Sequence, residues 1–199
     1  MLIFRTKILH AFIVFVVLTT LAYGLSFFTT FDSDSMVDTD RIERVIYQKQ
    51  NQTLNILKSA ADDIAEKGFD WYLKSKSDYL HTLHKQEGIA ILIYKNWFLR
   101  FWPDNTVVAP EVYGSSVFEK SFIKLGNKYY VPVHYRATDV NLIGLIYIKS
   151  EFDSSSEMVD DHFQRDFYLS SDIGIVEDPL KEPRIFDHKQ NYLFSLEVE

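Results

Sequence analysis

Apolar and polar residues alternate with three different rhythms along the chain, and each rhythm predicts a different element. From Ile8 to Phe31 the stretch "ILHAFIVFVVLTTLAYGLSFFTTF" holds no Asp, Glu, Lys or Arg. About 20 apolar residues suffice to span a bilayer as a helix, so this run predicts a transmembrane helix. Arg5 and Lys7 precede it and Asp32, Asp34 and Asp38 follow it, which places the N-terminus on the cytoplasmic side. The alternative is a cleaved leader, with a weak small-residue site near Ala22 and Gly24.

The second rhythm is helical. Ile42, Val45, Ile46, Thr53, Ile56, Leu57, Ala60, Ala61 and Ile64 recur at helix spacing behind cap residues at Asp38, Thr39 and Asp40. Lys49 and "QKQNQ" interrupt the stripe. Such a stripe fits a long stalk helix that packs on a sheet, on a twin in a homodimer through residues 41–65, or on both. Gly68 loosens it, and "DWYLKSKSDYLHTLHKQEG" continues as a second helix stopped by Gly88.

The third rhythm has period two. "IAILIYK" is apolar on both faces, as in a central strand, and "WFLRFW" pairs with it through a tight turn near Asn96. "KYYVPVHYR" alternates, with Pro132 pointing to an edge or a bulge. "NLIGLIYIK" is another strand apolar on both faces. "SSSEMVDDHFQRDF" reads as a short flanking helix, and "DIGIVED" and "NYLFSLEVE" as terminal strands. Helices followed by strands on short turns argue an α+β fold with an antiparallel sheet. A long helix entering a small antiparallel sheet is PAS-like or Cache-like by architecture. The expected organisation is a cytoplasmic N-terminus at 1–7, a membrane span at 8–31, stalk helices at 32–87 and a sheet domain at 88–199.

Composition narrows the function classes. The 199 residues are 47% hydrophobic, 25% charged and 16% aromatic, the profile of a folded, aromatic-rich domain. The net charge of −7, with no dense basic run, argues against nucleic acid. The absence of cysteine excludes disulfides and thiolate chemistry. No serine elbow, paired-carboxylate motif or zinc-protease signature is visible, so no catalytic residue and no cofactor is assigned.

Three segments, in order, carry a resemblance: "GIAILIYKNWFLRFWPDN", "NLIGLIYIKSEFDSSSEMVDDHFQRDFYLSSDIGI" and "NYLFSLEVE". Together they resemble the N-terminal sensor region of a group of bacterial sensor histidine kinases, over roughly residues 1–199. The departures are Pro103 in the strand exit, Asn96-Trp97 in the turn and Phe152 in place of a tyrosine. No histidine has the flanks of a phospho-acceptor, and neither an ATP lid nor a second span occurs. The resemblance therefore implies the ligand-sensing part of such a receptor without its kinase. It implies placement in a bacterial inner membrane, with residues 32–199 periplasmic and the lipid bilayer met through residues 8–31. A binding or scaffold protein with the same anchor is the alternative.

The candidate ligand-binding residues follow from this frame. Trp97, Phe98, Phe101 and Trp102 are expected mainly as core, with Trp102 the one to face a small organic ligand. Asp104 and Asn105 form a turn or offer oxygens to a polar ligand. Tyr130, His134 and Arg136 share a strand face and line the same pocket or an outer surface. Asp78, His81, His84 and Glu87 have spacing compatible with zinc, but a solvated helix end is the simpler reading. Lys149, Ser150 and Glu151, with Glu157, Asp160 and Asp161, are expected as solvated surface.

Overall fold

A computed structural model describes Thr19, residues 37–152 and residues 162–198. Helix α1 runs from Thr39 to Lys67. Asp38 caps its start by accepting from Arg41 N at 2.9 Å. Helix α2 spans Phe69–Glu87 and ends on Gly88, whose φ of 66° closes the last turn in the left-handed region.

Strands β1 (Ile89–Lys95), β2 (Phe98–Phe101), β3 (Ile123–Leu125), β4 (Lys128–Arg136) and β5 (Val140–Ser150) form one antiparallel sheet in the order β2-β1-β5-β4-β3. A short strand β6 (His162–Phe163) pairs with β5. A second sheet holds β7 (Ile173–Val176), β8 (Arg184–Phe186) and β9 (Tyr192–Val198), with β9 central. A four-residue helix α3 (Ser115–Phe118) and a 3-10 turn at Arg165–Phe167 complete the described elements.

Strand β1 is apolar on both faces because both faces are covered. Ile89, Ile91 and Ile93 pack with Leu57, Ala60, Leu80 and Leu83 of the helices. Ala90, Leu92 and Tyr94 face the other way, against Phe118, Tyr130, Ile143 and Leu145. Helix α1 lies directly against the sheet at Gly144, where a Cβ would overlap Cγ2 of Thr53. Only glycine allows that approach. Pro132 sits past the reach of β3, where among the described strands none pairs with that side of β4, and a bulge separates Tyr129 from Tyr130.

The α+β class and the antiparallel sheet stand, but several expectations are corrected. Among the described residues no helix is long and apolar enough to cross a membrane. Helices α1 and α2 each bury one stripe on the sheet and carry charges elsewhere. The transmembrane helix, the bilayer contact and the inner-membrane placement are therefore withdrawn. The stretch 8–31 on which they rested lies outside the described residues, apart from Thr19.

The flanking helix expected over 154–167 is also replaced where it is described, by β6 and the 3-10 turn, while residues 153–161 lie outside the described residues. Lys149 and Ser150 are fully buried rather than solvated. Lys149 Nζ donates to Ile173 O at 2.8 Å, and Ser150 Oγ lies 3.0 Å from His162 Nδ1. The apolar stripe of α1 is spent on its own sheet. A twin through residues 41–65 would meet the outer face, where Arg44, Tyr47 and Gln48 are exposed.

Candidate functional site

The β1–β2 turn sets the positions of the aromatics. Asn96 and Trp97 both have positive φ, 54° and 72°, the signature of a two-residue type I′ hairpin. Trp97 is thus a turn residue and Trp102 lies beyond the strand, so the four aromatics do not alternate along β2. Only Phe101 is buried, while Trp97, Phe98 and Trp102 are 55%, 53% and 41% exposed. Strand β2 is short and at the sheet edge. Among the described residues, 111–113 meet its outer side, through Leu99 N to Glu111 O at 2.8 Å and Tyr113 N to Trp97 O at 2.7 Å. Trp102 and Asn105 line a shallow cleft of about 680 Å³ there, with Phe98, Arg100, Val108 and Glu111.

Tyr130 and His134 share a sheet face, but Phe118 stands between their surroundings. Tyr130 is fully buried in the core around Phe118. His134 lies with its ring 6.2 Å from that of Phe118 and lines a separate cleft beside Asp187 and His188. Arg136 is exposed. The residues chosen from the sequence are therefore not gathered into one site: Trp102 with Asn105, Asp104, Tyr130 and His134 occupy four places.

Asp104 leads to the best-built site. It belongs to a pocket of about 570 Å³ between the end of α2, the start of β4 and the end of β5. The Asp104 carboxylate accepts from Thr106 N at 2.8 Å and from Thr106 Oγ1 at 2.6 Å. Its other oxygen is 3.5 Å from His84 Nε2, which also lies 3.3 Å from Thr106 Oγ1. Lys128 Nζ donates to Thr106 O at 3.1 Å and sits 5.9 Å from the centre of the Tyr147 ring. Tyr147 donates its hydroxyl to His162 O at 2.9 Å. Behind it, the Tyr130 ring is 6.1 Å away.

One polar atom of this lining, His84 Nδ1, is buried without a hydrogen-bond partner, as is the Tyr130 hydroxyl in the core behind Tyr147. Such orphans are uncommon in folded proteins and need a reason. Burial lowers the pKa of His84, against the pull of Asp104, and so favours the neutral ring. Burial also lowers Lys128 and raises Tyr130. Asp104 is held low, because the Thr106 bonds outweigh the cost of its burial.

The opposite wall is tied to α1. Gln164 Nε2 donates to Asp166 Oδ2 at 3.0 Å, and Asp166 Oδ2 pairs with Lys49 Nζ at 2.6 Å. Lys49 also donates to Glu87 O at 2.7 Å, satisfying a carbonyl at the C-terminus of α2. Arg165 donates to Gln86 O at 2.8 Å. Lys49, an apparent interruption of the stripe, is thus 5% exposed and joins α1, α2 and the pocket wall.

Sequence reasoning found Asp104 and missed Lys128, Tyr147, His162 and Gln164. His84 was visible only as part of a possible zinc face. Residues three and six apart lie roughly 60° and 120° round a helix, so the set diverges. His81 packs edge-on to Phe101 at 6.0 Å, while His84 turns to Asp104. Among the described residues no group of three or more His, Asp or Glu could hold a metal.

No family model, no curated protein and no solved structure matches the chain.

Proposed function

We propose that the described residues form a small-molecule-sensing module without catalytic machinery of its own. This is the role of the sensor region in the bacterial histidine kinases that the sequence resembles. The observation that carries the reading is the pocket around His84, Asp104, Thr106 and Lys128, where a buried imidazole nitrogen has no partner. A ligand that completes such a group recovers a hydrogen bond the free protein lacks.

The same pocket offers a route for the response. Its wall at Gln164 and Arg165 connects through Asp166 to Lys49 of the long helix α1. A ligand that favours one arrangement of that wall would bias the pose of α1, and only to the extent that it binds the two arrangements differently. A homodimer through the outer face of α1 would then carry the change to a second copy.

The test is a thermal-shift screen of the full chain against pooled organic acids, amines and sugars. Compounds that raise the melting temperature of the wild type, and not of a Tyr147→Ala variant, support the reading. A screen in which every stabilising compound acts equally on both overturns it.

A second reading, a non-signalling binding or scaffold protein, is favoured by a different feature. Trp97, Phe98, Trp102, Val108 and Val112 are all between 41% and 58% exposed near the β2 edge. Apolar groups gathered on a surface mark contact sites for partners. A pull-down of a partner protein that a Trp97→Ser/Phe98→Ser variant loses would support it.

A further inference from the structure

The charge around the pocket is unbalanced. Among the described residues that line it, Lys85, Lys128 and Arg165 are cationic and Asp104 is the sole carboxylate. The chain as a whole carries −7, whereas the described lining of the pocket is net positive. Asp104 is already engaged by Thr106 and faces His84, leaving little capacity for a cationic ligand. Among the described residues half-buried Lys128 donates one hydrogen bond, to a neutral carbonyl, and makes no direct ion pair, although the charge of Asp104 reaches it. A half-buried ammonium without a direct ion pair is incompletely compensated, and burial depresses its pKa despite the pull of Asp104. Tyr147, Phe152 and Phe163 supply an apolar wall beside it.

Resting on the sensing reading above, we infer that the ligand is a small organic monocarboxylate with an apolar body. Its carboxylate meets the Lys128 ammonium, and its body lies on Tyr147 and Phe163. A protonated His84 is not required: the neutral ring can donate from one nitrogen to Asp104 or Thr106, or to the ligand from the other. Sugars do not need the cation, and amines meet repulsion from it.

Three molecules of one shape and different charge decide the matter: phenylacetate, phenylacetamide and phenethylamine, each titrated calorimetrically into the full chain. Phenylacetate is expected to bind at least tenfold tighter than the other two. Lys128→Gln should weaken it at least tenfold, while Lys128→Arg, which keeps the charge, retains most of the affinity and controls for folding. Arg100→Gln, in the other cleft, should change nothing. Equal or tighter binding of the amide or amine, with loss of that binding in Tyr147→Ala, overturns the carboxylate inference and leaves the pocket as the sensing site. Absence of binding by all three, or phenylacetate binding indifferent to Lys128→Gln, also overturns the inference, while the pooled screen tests the sensing reading separately.

Discussion

Gly144 and Thr53 show how tightly one residue can constrain the fold. The helix rests on the sheet where the glycine has no side chain and the threonine methyl fills the gap. Gly144→Ala should destabilise by about 1–3 kcal/mol, the usual range for overpacking a core. Thr53→Ala in the same chain should recover part of that loss by removing the overlapping methyl; paired denaturant curves measure both. Nothing around Gly144 in "NLIGLIYIK" marks it, because the clash is with a residue about ninety positions earlier. Trp97 is the converse case. A tryptophan at φ 72° is strained, whereas a type I′ turn ordinarily takes glycine there. Trp97→Gly should therefore leave stability unchanged or raise it by about 1 kcal/mol in a thermal melt, even though it removes the ring contact with Tyr113 at 5.9 Å.

Lys49 binds elements together rather than filling a site. Replacing it with Met removes the nearer of the two cations beside Asp166 and the donor to the Glu87 carbonyl, leaving Arg165 at 3.9 Å. Asp166 keeps 38% of its side chain exposed, so the loss should be about 1–2 kcal/mol, below that of breaking a fully buried pair. A denaturant midpoint lowered with an unchanged slope would match that expectation.

Helices α1 and α2 and strands β1, β4 and β5 were legible, since long periodic stretches dominate local propensity. Strands β3 and β8 were not, being three residues each and fixed by partners distant in sequence. The β2 aromatics misled for a related reason. The pattern shows their size, but an edge position and a turn residue leave them exposed. Within the site, Asp104 was readable as a polar turn. Lys128 looked like the flank of a strand and Tyr147 like core, because their convergence depends on β4 and β5 lying side by side.

The whole domain should lose stability on acidification in two windows. Desolvation holds the half-buried His84 and the more exposed His134 below their usual value of 6.5. The unfolded chain then binds more protons than the folded one below that pH, so stability is full above about pH 6.5 and falls toward the folded values. Asp104, Asp166 and Asp187 are buried in part, yet hydrogen bonds hold each below 3.8. Their contribution is present above about pH 4 and disappears as the pH drops through their folded values. Melts from pH 8 to pH 3 should show a gentle decline below 6.5 and a steeper one below 4. His84→Gln combined with His134→Gln should flatten the first.

The most direct test of ligand sensing by this domain is an amide-resolved NMR titration of the full chain with a compound from the pooled screen that binds. The structure predicts shifts at Thr106, Lys128 and Gln164 that extend through Asp166 to Lys49 on α1. Shifts confined to Trp97, Phe98 and Trp102 at the β2 edge, with the pocket and α1 unmoved, would contradict it.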